Sequence, residues 1–118
     1  DPVEQQVEGI VQCQVASGYG FTYERAIFAA LRQDPDIIAV GEIRNAETAR
    51  MVLRAALTGH PVVSTLHAYS YGSAFEKLLE FGLVKDEVEE TLSTVFHQQL
   101  IYEYGRRKAN GHLAHGKR

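Results

Sequence analysis

Asp34-Pro-Asp-Ile-Ile-Ala-Val-Gly-Glu42 is the stretch on which the fold turns. Ile37 to Val40 are four consecutive apolar residues, three of them β-branched, without polar alternation. A strand covered on both faces of a parallel sheet reads this way. Asp36 precedes the run and Gly41-Glu42 follow it. Ligands of open α/β sheets bind beyond the carboxyl ends of the strands, so Glu42 falls on the edge where chemistry is placed. Nucleotide hydrolases use such a strand to aim a carboxylate at Mg²⁺ or water. The same residues also read as a core strand followed by a surface turn with a solvated Glu. The stretch alone leaves both readings open.

Working outward, Asn45 is a good N-cap, and Ala46 to Leu57 is rich in the strong helix formers Ala, Leu, Arg and Met. Thr58-Gly59 supplies a helix stop, and Pro61 opens a second β-branched run, Val62 to Leu66, ending at His67. Strand, helix and strand with short joints form a βαβ unit, which predicts a parallel pair. Upstream, Thr22 caps a helix whose apolar positions are Ala26, Ile27, Ala30 and Leu31, and which Asp34-Pro35 ends. Ile10 to Val15 alternates in part and predicts a further strand, followed by a Gly-rich turn at residues 16–20. Downstream, a third helix is expected from about Ser73 to Phe81, closed by Gly82. A fourth is expected from Asp86 to about Gln98, with Val88, Leu92, Val95 and Phe96 inward, and then a short strand at Leu100–Tyr102.

The 118 residues allow one domain with a modest core, and 45% hydrophobic with 23% charged residues is ordinary for a soluble globular chain. No apolar run approaches a membrane span of roughly 18 residues, and the N-terminus lacks a signal pattern. The single cysteine, Cys13, rules out an internal disulfide and a four-cysteine metal site. Charge is uneven: residues 1–104 hold all 15 acids and seven Lys/Arg, a net −8, while 105–118 hold five Lys/Arg and no acid. That basic, Gly-containing segment reads as a disordered tail. The body offers no basic patch for nucleic acid. The chain opens on Asp1-Pro-Val-Glu4 without Met, as a piece of a longer protein would.

Glu42 and His67 each follow a strand of the same βαβ unit, so both belong to its carboxyl edge. His60 opens the segment leading into the second strand and belongs to the other end, unless the Gly59-His60-Pro61 turn folds it back. Glu42, His60 and His67 together admit a metal-dependent hydrolase, although the two His lack the i, i+4 spacing of a helical zinc pair. Asp1 and Glu4 form a second acidic cluster, or simply exposed charges on a frayed end. Arg44 offers Glu42 a salt bridge or a phosphate a cation. No Gly-x-x-x-x-Gly-Lys-Ser/Thr, Gly-x-Gly-x-x-Gly, Gly-x-Ser-x-Gly or His-Glu-x-x-His occurs, so the residues present give weak grounds of their own for holding a nucleotide.

Seven motifs nevertheless stand in a familiar order. They are Asp1-Pro-Val-Glu4, Gly20-Phe-Thr22, Leu31-Arg-Gln-Asp-Pro-Asp36, Ile38-Ala-Val-Gly-Glu-Ile-Arg44, Glu47-Thr-Ala49, Ala55-Ala-Leu-Thr-Gly-His60 and Ser64-Thr-Leu-His67. In this order and spacing the chain, over residues 1–103, resembles the secretion ATPases, the hexameric motors of type II secretion, type IV pili and competence DNA uptake. Leu78-Leu-Glu-Phe-Gly82, with Glu87 and Glu90-Thr-Leu92, is most similar to the Gram-positive competence branch. The four-cysteine zinc insertion common in type II secretion members has no counterpart here.

The resemblance implies an α/β fold: part of a RecA-like P-loop NTPase domain, a parallel sheet with flanking helices, lacking its Walker A half. Residues 1–104 would be the C-terminal portion of that domain. Glu4 matches the catalytic glutamate of the family's acidic box, to which Asp1 also belongs. Glu42 matches the Walker B glutamate, acting on Mg²⁺ and the γ-phosphate region, and His60 and His67 match the His box, with His67 as γ-phosphate sensor. Arg32 and Arg44 stand at family arginine positions for phosphate or inter-subunit contacts. The full-length protein would use ATP and Mg²⁺, assemble as a homo-hexamer and work with an inner-membrane platform protein at the cytoplasmic face of the membrane. It would not bind nucleic acid directly. The fragment alone is expected to hold no cofactor tightly, to contain no metal site and not to hydrolyse ATP. The alternative is a non-catalytic interaction module of a pilus or secretion assembly. Two positions depart from the family pattern: Asn45 stands where Asp is usual, and Gln98-Gln99 where Gln-Arg is usual.

Overall fold

A computed structural model describes residues 3–103 and 106–115, with residues 17 and 102–115 described through their backbone. Two compact units divide the chain, Asp1–Thr65 and Leu66–Arg118. No helix of the described residues is long and apolar enough to cross a membrane.

The first unit is built on the βαβ pattern. Helix α1 (Tyr23–Leu31) precedes strand β1 (Ile38–Val40), helix α2 (Ala46–Leu57) follows, and strand β2 (Val62–Ser64) returns. β1 and β2 are parallel, with Ile38 opposite Val62 and Val40 opposite Ser64. Local chemistry sets the helix ends. Thr22 accepts a hydrogen bond from the Arg25 N–H at 3.3 Å, and Asn45 accepts from the Thr48 N–H at 2.9 Å. α2 closes in a Schellman turn. Gly59, at φ +89°, donates to the Ala56 carbonyl, and His60 donates to that of Ala55. Only glycine adopts that φ without a Cβ penalty, which is why Thr58-Gly59 reads as a stop.

Ile38 and Val40 point into a core with Ile27 of α1 and Ala55 of α2, joined by Tyr23, Leu31, Met51, Val52 and Val62 at its margin. The opposite face is bare: Ile37 is 63% and Val63 61% exposed, and Ala39 is exposed between them. This corrects the expectation of a strand covered on both faces. Alternation of burial along β1 shows that the described helices cover one side of the sheet. Residues 10–15, expected as a strand, are irregular too. Ile10 and Val11 are 60% and 81% exposed, and Gln12 pins the loop by accepting from the Val7 N–H and donating to the Gln5 carbonyl, each at 2.8 Å. A strand needs a neighbour to take its N–H and C=O groups, and none pairs with this segment among the described residues.

The second unit starts with helix α3 (Tyr71–Glu80), where Ser70 and Ser73 form a capping box, two residues earlier than the sequence suggests. Gly82, at φ +84°, ends it as Gly59 ends α2. Helix α4 spans only Lys85–Thr91, with Ala74, Leu83 and Val88 buried nearby in sequence. Asp86 is not its cap but lies with Glu87 in the first turn, where negative charge suits the helix dipole.

Here lies the larger correction. The expected helix to Gln98 stops at Thr91, and Thr94–Glu103 is strand β3, paired antiparallel with β4 (Arg106–His115). The segment read as a disordered tail is thus largely the second arm of a hairpin, with Glu103 opposite Arg106 and Thr94 opposite His115. Residues 105 and 116–118 lie outside the described residues. Thr94, Val95 and Phe96 favour a strand once a partner exists to complete the ladder. That partner, Arg106–His115, is rich in charge and glycine and carries no strand signal of its own.

Candidate active-site edge

Gly41-Glu42-Ile43-Arg44 leaves β1 in extended conformation, where residues two apart share a face. Ile43 turns inward and is 8% exposed, so Glu42 and Arg44 emerge together on the other side. The Glu42 Oε2 accepts a hydrogen bond from the Arg44 Nε at 2.5 Å. The side chains differ in exposure: Glu42 is 16% exposed and Arg44 63%. The hydrogen bond to Glu42, then its charge, pushes the Arg44 pKa above the usual arginine value, with a smaller contribution from the Tyr23 phenol at the start of α1. Arg44 therefore stays cationic throughout the neutral range, and the charge-assisted bond persists with it.

Thr65 fixes this loop to the end of β2. Its carbonyl accepts from the Ile43 N–H at 2.9 Å, and its Oγ1 donates to the Gly41 carbonyl at 2.7 Å. The parallel ladder ends at Val40 and Ser64, and these two bonds continue the clamp past it. Sequence reasoning missed Thr65 and Tyr23. The available signal for Thr65 was a hydroxyl one residue beyond a β-branched run; Tyr23 gave none.

The other expected site residues are dispersed. His60 leads into β2 at the end remote from Glu42, roughly 20 Å away at about 3.3 Å per residue of strand. Its Nδ1 lies 3.2 Å from the Thr58 Oγ1, which itself donates to the Ala55 carbonyl at 2.8 Å. With the hydroxyl proton already committed, the imidazole Nδ1–H is the donor to Thr58. Arg32 is the exposed C-cap of α1, and Glu4 is exposed in the irregular N-terminal segment. His67 follows β2 by three residues, is exposed and belongs to the second unit. Asp1 lies outside the described residues. Among the described residues no three His, Cys, Asp or Glu side chains converge on a metal position. His60, placed where it is, does not join Glu42 in the arrangement a metal-dependent hydrolase would need.

Comparison with known proteins follows the same motifs. Residues 1–115 match the family described as Type II/IV secretion system protein. Competence protein ComGA of Bacillus subtilis is 46% identical over 101 residues, covering 86% of this chain and 28% of that protein. The type IV pilus assembly ATPase PilB of Thermus thermophilus is 48% identical over 101 residues, covering 86% of this chain and 11% of that protein. The crystal structure of the Legionella pneumophila ATPase DotB superposes with a TM-score of 0.72 at 31% identity, over 81% of this chain and 28% of that one. The chain therefore spans between 11% and 28% of the length of these relatives.

Proposed function

The chain belongs to the type II/IV secretion system protein family, and from that premise we propose that it is the Walker B and His-box part of a secretion or pilus motor that hydrolyses ATP. The single observation that carries the reading is Glu42, a largely buried carboxylate at the carboxyl end of β1, on a loop clamped by Thr65. Relatives named as the ATPases PilB and DotB support it.

The donor set fits Mg²⁺ in such a motor. Mg²⁺ keeps several waters and takes one or two carboxylates plus phosphate oxygens, so one well-held carboxylate is a sufficient protein share. Glu42 would hold the cation through its water shell or orient the attacking water. The cation supplies charge neutralisation at the β- and γ-phosphates. Glu4 and Asp1 of the acidic box would serve the attacking water. His67 would report on the γ-phosphate, and Arg32, Arg44 and His60 would serve phosphate or inter-subunit contacts. Catalysis of this kind is positioning and electrostatic stabilisation, which suits a rigid loop rather than a reactive nucleophile. The phosphate-cradling loop absent from these residues would come from the rest of the polypeptide, so the 118-residue chain alone is expected not to turn over ATP. In the assembled motor, a homo-hexamer would work on an inner-membrane platform protein at the cytoplasmic face of the membrane.

The test is Mg²⁺-dependent ATPase activity of the full-length polypeptide containing this chain, with and without Glu42→Gln. The substitution keeps the shape and removes the charge, and a fall in kcat of about a hundredfold or more is expected, the size of loss seen when one electrostatic group is removed from such a site. Unchanged turnover in the variant would refute the assignment and favour a non-catalytic interaction module.

A further inference from the structure

Glu42 and Arg44 form a close pair whose members differ sharply in their relation to water. The Glu42 carboxylate, 16% exposed, has lost most of its hydration and needs a cationic partner to remain ionised there. The Arg44 guanidinium, 63% exposed, keeps most of its hydration and returns to water at little cost. The contact runs through Nε to a single carboxylate oxygen, without the bidentate fork that makes the strongest Arg–carboxylate pairs. The loop under the pair is rigid, since Ile43 is buried and Thr65 holds both Gly41 and Ile43. The backbone is thus fixed while one partner is free to be exchanged by side-chain rotation.

We propose that Arg44 is a positioning residue that holds the Glu42 carboxylate in the nucleotide-free protein and is displaced when a hydrated Mg²⁺–nucleoside triphosphate takes that carboxylate. The proposal rests on the assignment of Glu42 to the Mg²⁺ and γ-phosphate region. Arg44 and the cation compete for one acceptor, so Arg44 raises the Mg²⁺ concentration the site requires and keeps Glu42 aligned until the cation arrives. A static surface ion pair would do neither.

The experiment is the free-Mg²⁺ dependence of ATP hydrolysis at saturating ATP, in the full-length protein, for the wild type, Arg44→Gln, Arg44→Lys and Glu42→Gln. Arg44→Gln removes the competing charge, so the half-saturating Mg²⁺ concentration should fall by about two- to fivefold, the strength of a solvent-exposed ion pair. Arg44→Lys keeps a cation but loses the Nε geometry and should shift the midpoint in the same direction by less. A midpoint that is unchanged or raised in Arg44→Gln overturns the proposal. If Arg44→Gln does not turn over, Mn²⁺ binding without nucleotide, followed by electron paramagnetic resonance, gives the same comparison. Tighter Mn²⁺ binding supports the exchange, and equal or weaker binding overturns it. Glu42→Gln separates the two layers. Wild-type activity in that variant defeats the functional assignment itself, whereas an inactive Glu42→Gln beside an unmoved Arg44→Gln midpoint defeats only the role of Arg44.

Discussion

Aspartate placed on either side of the β1–β2 sheet tests the one-sided packing directly. Val63 is 61% exposed, so roughly two-fifths of its surface leaves water on folding; at about 2 kcal/mol for complete burial of a valine, Val63→Asp forfeits about 0.8 kcal/mol of transfer free energy. Adding a few tenths for poorer strand propensity gives a total cost of about 1 kcal/mol in the 118-residue chain. Val40 is 7% exposed on the covered face, within the cluster of Ile27, Ile38 and Ala55. Val40→Asp places a carboxylate there without a partner, which costs about 3–5 kcal/mol and should unfold the first unit. Urea denaturation followed by circular dichroism measures both. The reasoning fails if Val63→Asp costs as much as Val40→Asp in this chain. In the full-length motor proposed above, further strands and helices would cover the open face, and the gap between the two variants should close to within about 1 kcal/mol.

Two further outcomes test the local readings. Asn45→Ala should destabilise α2 by about 1 kcal/mol in urea, whereas Asn45→Asp, which preserves the acceptor for the Thr48 N–H, should stay within about 0.5 kcal/mol of the parent; equal losses in both would mean the cap contributes nothing. Ending the chain at Glu103 removes β4, so the amides of Thr94–Glu103 that bond to it should lose hydrogen-exchange protection by about tenfold or more. Unaltered protection would show that β3 is held by something other than the hairpin.

The βαβ unit was legible because each of its signals is local: a β-branched run, an Asn cap, a helix-forming stretch and a Gly stop, all confirmed within a residue or two. The hairpin was not, because β3 becomes a strand only through pairing with Arg106–His115, and neither arm declares the other in sequence. The same limit explains residues 10–15, whose partial alternation signals a strand but supplies no partner. At the site, Glu42 and its Arg44 neighbour followed from i, i+2 geometry in an extended chain. The Thr65 clamp was invisible because it joins residues 24 positions apart. The unequal exposure of Glu42 and Arg44 likewise depends on what packs beneath the loop rather than on residue type.

His60 illustrates how such a site should be interrogated by genetics. Its backbone N–H closes the α2 Schellman turn, and its ring donates to a threonine that is itself bound to the last turn of the helix. A mutational screen scored on transport or DNA uptake alone would register His60 variants as hits and invite a chemical explanation. The first property such variants change is the fidelity with which α2 hands the chain to β2, so the shortfall would be one of correctly folded molecules. Turnover per folded molecule, rather than per cell or per milligram, is the quantity that separates a histidine that takes part in the reaction from one that holds the end of a helix.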